Sequence, residues 1–146
     1  MTVEIKDTIK RGIDAAEQGN MVEAIHLLES VAKDAKTPMV RSYLAYCLAR
    51  EHRQLKQAAS MCHEAMQLEP NNPVHYLNLG RIYILANQKS RAIQTFRKGL
   101  KLGRNARIVA ELKSLGLRRP AIFPALSRDN PLNKFLGILS SKLGVR

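Results

Sequence analysis

The chain has 146 residues and 45% apolar content, enough for one folded domain with a sizeable core. Aromatic residues make up 5% and there is no Trp, which argues against an all-β fold, and the absence of any run of about 18 apolar residues excludes a transmembrane helix. The net charge of +12 is unevenly placed: residues 1–96 hold 12 basic and 10 acidic side chains, whereas 97–146 hold 12 basic and only two acidic ones, Glu111 and Asp129.

The opening MTVEIKDTIKRG mixes both charge signs and lacks the apolar stretch of a signal peptide, which predicts a cytoplasmic protein. A first helix is predicted over roughly 2–18, with Ile5, Ile9, Ile13 and Ala16 on one stripe, and Gly19-Asn20 breaks it in a left-handed cap. A second follows over roughly 22–35. Thr37-Pro38 opens the next hairpin, because threonine caps the free N–H groups and proline is tolerated in the first helical turn. Asn72-Pro73 repeats that signal one period on. Helices are predicted over roughly 38–52, 55–68, 73–87 and 89–102, Gly103 closes the sixth, and a seventh spans about 105–115. Then comes LRRPAIFPALSRDNP, whose prolines push the preceding residues toward extended geometry, so this stretch is predicted to be a non-helical strap. Asn130-Pro131 leads into a short last helix, about 131–143, with Leu132, Phe135, Leu136, Leu139 and Leu143 on one side.

The helices repeat with a period of 34 residues. Gly12, Tyr46 and Gly80 share one phase; Ala24, Ala58 and Ala92 lie twelve residues after them, then Leu28, Cys62 and Phe96, then Val31, Ala65 and Gly99. A fixed period with small residues at recurring phases marks stacked helical hairpins, which hold other molecules on extended surfaces. These residues resemble the tetratricopeptide repeat family. The third copy carries the likeness best, through Tyr76, Leu79-Gly80, Tyr83, Ala92 and Phe96. The second has Ala45, Ala49, Ala58, Ala65 and the closing Pro70 but departs at Tyr46 and Cys62, and the first keeps Gly12, Ala15 and Ala24. The resemblance implies an all-α, right-handed stack of three hairpins (about 5–38, 39–72 and 73–106) and a capping helix within 1–116. The strap and short helix of 117–146 then pack on that domain. The tail LGLRRPAIFPALSRDNPLNKFLG also resembles C-terminal tails of some bacterial members.

In this family the first helix of each hairpin lines a concave groove for extended or helical peptides. Carrying those phases over gives Lys6, Ile9, Lys10 and Ile13, then Val40, Tyr43, Leu44, Cys47 and Arg50, then Val74, Leu77, Asn78, Arg81 and Ile84. Such a surface is apolar with a few positive charges and suits an apolar peptide bearing an acidic residue or a terminal carboxylate. Alternatively, Ile9, Ile13, Leu44 and Leu77 are covered by neighbouring hairpins. The chaperone-tail clamp of one subtype is not expected, since its phases hold Ile9, Ile13, Leu44, Val74 and Asn78. The last helix either completes the cap, enters the groove, or docks on a second copy of the chain.

The resulting expectation is a non-catalytic protein–protein interaction scaffold. The alternative is a nucleic-acid or acidic-surface binder using Arg97, Lys98, Lys101, Arg104, Arg107, Lys113, Arg118 and Arg119. Phe123 and Phe135 read as packing anchors rather than base-stacking platforms, and the final helix is too weakly cationic for a membrane-surface role. No phosphate loop or metal-ligand spacing occurs, so no cofactor and no metal are expected. Cys47 and Cys62 read as reduced core residues, and His26, His52, His63 and His75 are scattered over different helices.

Overall fold

A computed structural model describes residues 1–116. Seven helices follow one another: α1 (Val3–Glu17), α2 (Met21–Ala32), α3 (Pro38–His52), α4 (Leu55–Leu68), α5 (Pro73–Leu85), α6 (Lys89–Leu102) and α7 (Ala106–Ser114). α1–α2, α3–α4 and α5–α6 pair as hairpins; α3 packs on α2 and α5, α4 on α5, and α7 on α5 and α6. The described residues form an all-α helical repeat stack in which α7 follows the third hairpin. The strap and final helix expected over 117–146 lie outside the described residues.

Two local rules write the alternation of helices. The odd-numbered helices start with a side-chain cap: Thr2 accepts from the Ile5 N–H, Thr37 from Val40, Asn72 from Val74, and Asn105 from Arg107 and Ile108. The even-numbered ones start at Asn20, Gln54 and Gln88 without such a bond. Each cap contributes about 1 kcal/mol. Within each hairpin the chain reverses through one left-handed residue, and these residues stand one period apart: Gly19 (φ +87°), Arg53 (φ 59°) and Asn87 (φ 61°). Only at Arg53 does a long side chain take that conformation. Arg53→Gly is therefore expected to stabilise the fold by roughly 0.5–1 kcal/mol, read as a raised urea midpoint.

The hairpins close through pairs of unequal size. A Cβ on Gly80 would lie 2.6 Å from Phe96 Cδ1, and one on Gly12 would lie 2.8 Å from Leu28 Cγ, so each glycine is where the facing side chain enters. At the same phases the middle hairpin has Tyr46 and Cys62, which belong to different apolar clusters. Three apolar clusters run along the stack. The first joins α1, α2 and α3 through Ala16, Leu28, Val31, Tyr43 and Cys47. The second joins α3, α4 and α5 through Ala45, Cys62, Leu79 and Ile82. The third joins α5, α6 and α7 through Leu77, Phe96, Ile108 and Leu112. α7 thus covers the apolar flank that the last hairpin would expose, the role expected of a cap. Both cysteines are free and buried, and burial pushes each thiol pKa up to about 12.

Candidate binding face on the inner helices

The inner sides of α1, α3, α5 and α7 meet at one polar cluster with Arg81 at its centre. The residue is 8% exposed. Nη1 and Nη2 donate to the two carboxylate oxygens of Glu17 at 2.9 and 2.8 Å, and Nε donates to Glu111 Oε2 at 2.6 Å. The cation also lies 4.8 Å from the ring centre of Tyr46. Tyr43 donates its hydroxyl to Glu17 at 2.7 Å and accepts from Arg107 at 3.2 Å, while Arg107 Nε stands 3.6 Å from Glu17. One arginine from α5 therefore ties α1 to α7. A bidentate guanidinium–carboxylate pair in a poorly solvated site fixes geometry as well as charge.

The electrostatics follow from that arrangement. Burial opposes charge on Arg81, but Glu17 and Glu111 outweigh it and raise its pKa above the ordinary range. Burial likewise works to raise the Glu17 pKa, and the bonds from Arg81 and Tyr43 overcome it, leaving the carboxyl below its ordinary 4.5. Tyr43 is held neutral by burial and by the carboxylate it faces. A carboxyl with a depressed folded-state pKa contributes stability that is present above its unfolded value and lost as pH falls through the folded one. The stability gap between the native chain and Glu17→Gln is thus expected to be full at pH 7 and to shrink below about pH 4.5. Urea melts at pH 7, 4.5 and 3 check this, and a gap that did not change with pH would oppose it.

A second polar line joins the cluster from within the stack. Arg81 Nη1 donates to Asn78 Oδ1 at 3.3 Å, and Asn78 Nδ2 donates to Ser42 Oγ at 3.1 Å. His75 Nδ1 lies 2.9 Å from Ser42 Oγ, and His75 Nε2 lies 2.7 Å from Glu69 Oε1. With Ser42 accepting from Asn78, its own proton goes to Nδ1, and Nε2–H donates to Glu69. Ser42, His75 and Glu69 have the order of a serine–histidine–acid relay. Ser42 and His75 are nevertheless fully buried, so no substrate carbonyl reaches the hydroxyl, and the relay joins α3 to α5.

Sequence-predicted groove residues divide in three. Lys6 and Lys10 are exposed, with Lys10 2.9 Å from Asp14; Arg50 is exposed and Ile84 half-buried. Ile9, Ile13 and Val74 pack against the first apolar cluster. Val40, Tyr43, Leu44, Cys47, Leu77 and Asn78 are buried. Leu44 and Leu77 are thus covered by the fold, whereas Ile9 and Ile13 are half-buried. A pocket of about 280 Å³ is lined by Tyr46, Arg50, Arg81, Ile84, Leu85 and Glu111. Arg50 donates to the Tyr46 hydroxyl at 2.9 Å, and no carboxylate among the described residues forms an ion pair with it. Another hollow, about 760 Å³, lies at the first hairpin turn beside Glu23, His26 and Glu51.

The basic residues also divide. Arg97, Lys98, Lys101, Arg104 and Lys113 are exposed, whereas the Arg107 guanidinium turns to the inner cluster. Arg118 and Arg119 lie outside the described residues. Glu17, Tyr46 and Glu111 are the site residues that the repeat pattern missed. Glu111 carried one signal, as the only acid among the many cations between 97 and 128.

Comparison with known proteins agrees with this architecture. The tetratricopeptide repeat family model matches residues 49–115. The crystal structure of the Sgt2 TPR domain from Aspergillus fumigatus is similar with a TM-score of 0.60 at 19% identity, over 77% of each chain. No curated protein matches the chain. Helical hairpins of period 34, small residues at the crossing phases and these matches define the class of fold: residues 49–115 match the tetratricopeptide repeat family, the described residues share the fold of a TPR domain, and that fold supports protein–protein interaction in general. Among the described residues no helix is long and apolar enough to cross a membrane, and no group of His, Cys, Asp and Glu is placed to hold a metal.

Proposed function

We propose that the chain is a non-catalytic scaffold that binds a protein segment on the inner side of the stack, at the pocket between α3, α5 and α7. The observation that carries this reading is the pairing of an accessible cation, Arg50, with the half-buried apolar side chains Ile84 and Leu85 on one wall. A segment with an apolar side chain beside a carboxylate fits both halves, the carboxylate meeting Arg50 in a charge-assisted bond. Arg81 serves as the floor, because its donors are already engaged. Two reduced, buried cysteines suit a cytosolic setting.

The test is affinity isolation from nuclease-treated extract of the source cells. The native chain should retain a protein that Arg50→Glu combined with Ile84→Asp loses, while Lys98→Glu on α6 retains it. Equal recovery by both variants would overturn the inner-face assignment.

A second reading, binding of an acidic surface by the basic end of the chain, is favoured by the exposure of Arg97, Lys98, Lys101, Arg104 and Lys113 on the last described helices.

A further inference from the structure

We infer that the outward face of α6 binds the phosphate backbone of nucleic acid without reading its sequence. The inference rests on the second reading above and narrows it to one helix face and one class of ligand.

The outward faces of the three even-numbered helices differ sharply in charge. On α2 the exposed ionic residues are Glu23 and Glu29, and on α4 they are Lys56 and Glu64. On α6 they are Lys89, Arg91, Arg97, Lys98 and Lys101, with Arg104 just beyond its end. No acidic residue occurs from 89 to 110, and the first one after that, Glu111, is bound to Arg81. Among the described residues no carboxylate forms an ion pair with any of these α6 cations; Arg91 contacts Gln88 and the Tyr83 ring.

Helical geometry puts all of them but Lys89 on one surface. Arg91, Gln94, Lys98 and Lys101 follow the i, i+3, i+7, i+10 row, and Arg97 lies beside it. Arg91 to Lys101 spans about 15 Å along the axis, which matches about four nucleotides of one strand in a duplex. The rigid helix carries these charges at fixed spacing, so little further ordering is needed when phosphates arrive.

The neighbours of the cations select the kind of polyanion. Between them lie Ser90 and Gln94, and the nearest large apolar side chain with notable exposure, Leu102, is at the helix end and 37% exposed. A protein interface requires a buried apolar or aromatic anchor, and an anionic membrane requires an apolar wedge. The α6 face offers neither. Cations with small polar spacers suit phosphodiesters, and the lack of exposed aromatics on this face removes base stacking.

The experiment measures binding of a labelled 20-base-pair DNA duplex, in two unrelated sequences, to the full chain at several salt concentrations. About three phosphate contacts predict an affinity falling about 40-fold between 0.05 and 0.2 M salt, equally for both sequences. Arg97→Ala/Lys98→Ala/Lys101→Ala should abolish binding, and alanine keeps the helix, which circular dichroism verifies. A control of equal charge change, Lys33→Ala/Lys36→Ala/Lys56→Ala, should keep most of it. Binding that survives the α6 triple but is lost in Arg118→Ala/Arg119→Ala would overturn the α6 assignment and leave the basic-end reading standing. Absence of DNA binding at 0.05 M salt, with anionic vesicles and polyglutamate also unbound, would overturn both. Retention of vesicles or polyglutamate without DNA would overturn the nucleic-acid assignment alone.

Discussion

Replacing Arg81 by Met should lower stability by about 3 kcal/mol, because it strips the counter-charge from two poorly solvated carboxylates at once. The side chains of Glu17 and Glu111 are only 16% and 24% exposed, so water recovers little of the lost interaction. For a chain of this size that loss lowers the melting temperature by roughly 10 °C. Adding Glu17→Met should restore part of it, since one buried charge then disappears with its partner. A fall of less than about 2 °C for Arg81→Met would mean that the cluster is effectively solvated and does not tie α1 to α7. The consequence for function is direct. The Arg81 cluster fixes the relative positions of three inner helices, and the pocket at Arg50 is built on those positions.

The second large effect is expected at the crossing of α5 and α6. Gly80→Ala should cost about 2 kcal/mol despite the better helix propensity of alanine, because the new methyl lies within contact distance of a fully buried Phe96 ring. Gly103→Ala is the internal comparison: there a Cβ meets nothing closer than 3.9 Å and the backbone is extended, so the change is neutral or slightly stabilising. Combining Gly80→Ala with Phe96→Leu should relieve the clash, giving a coupling of about 1 kcal/mol between the two positions. Thermal melts of the four variants measure it. The middle hairpin departs from this pattern. Tyr46 stands at the glycine phase, and Cys62 stands where the other hairpins have Leu28 and Phe96. There the Tyr46 ring lies under Arg81 and its hydroxyl accepts from Arg50.

The period of 34 made most of the fold legible, because hairpin crossings, caps and left-handed turns recur by the same physics in each copy. Thr37-Pro38, Asn72-Pro73 and Gly19-Asn20 placed their boundaries correctly for that reason. The inner face was less legible. A repeat phase states what copies share, whereas the Arg81 cluster consists of what they do not share: the phase of Arg81 holds Ile13 and Cys47 in the other copies. Its partners are also remote, Glu17 being 64 residues away, so no local spacing announces the pair. The family phases assigned Tyr43, Cys47 and Asn78 to the groove, and Leu77 either to the groove or to coverage by neighbouring hairpins. In this chain Tyr43, Cys47, Leu77 and Asn78 are buried, while Arg50 is exposed and Ile84 and Leu85 are half-buried. Arg107 counted toward a basic patch in sequence, yet the carboxylate of Glu17 and the hydroxyl of Tyr43 turn it inward.

Site-directed photo-crosslinking in the source cells tests the scaffold assignment most directly. A photoreactive residue at Leu85, on the pocket wall, should give one dominant, nuclease-resistant protein adduct that disappears with Arg50→Glu, while the same residue at Gln94, on the outer face of α6, should not form that adduct. Protein adducts of equal yield at both positions, or an adduct at Leu85 indifferent to Arg50→Glu, would contradict a binding site on the inner helices.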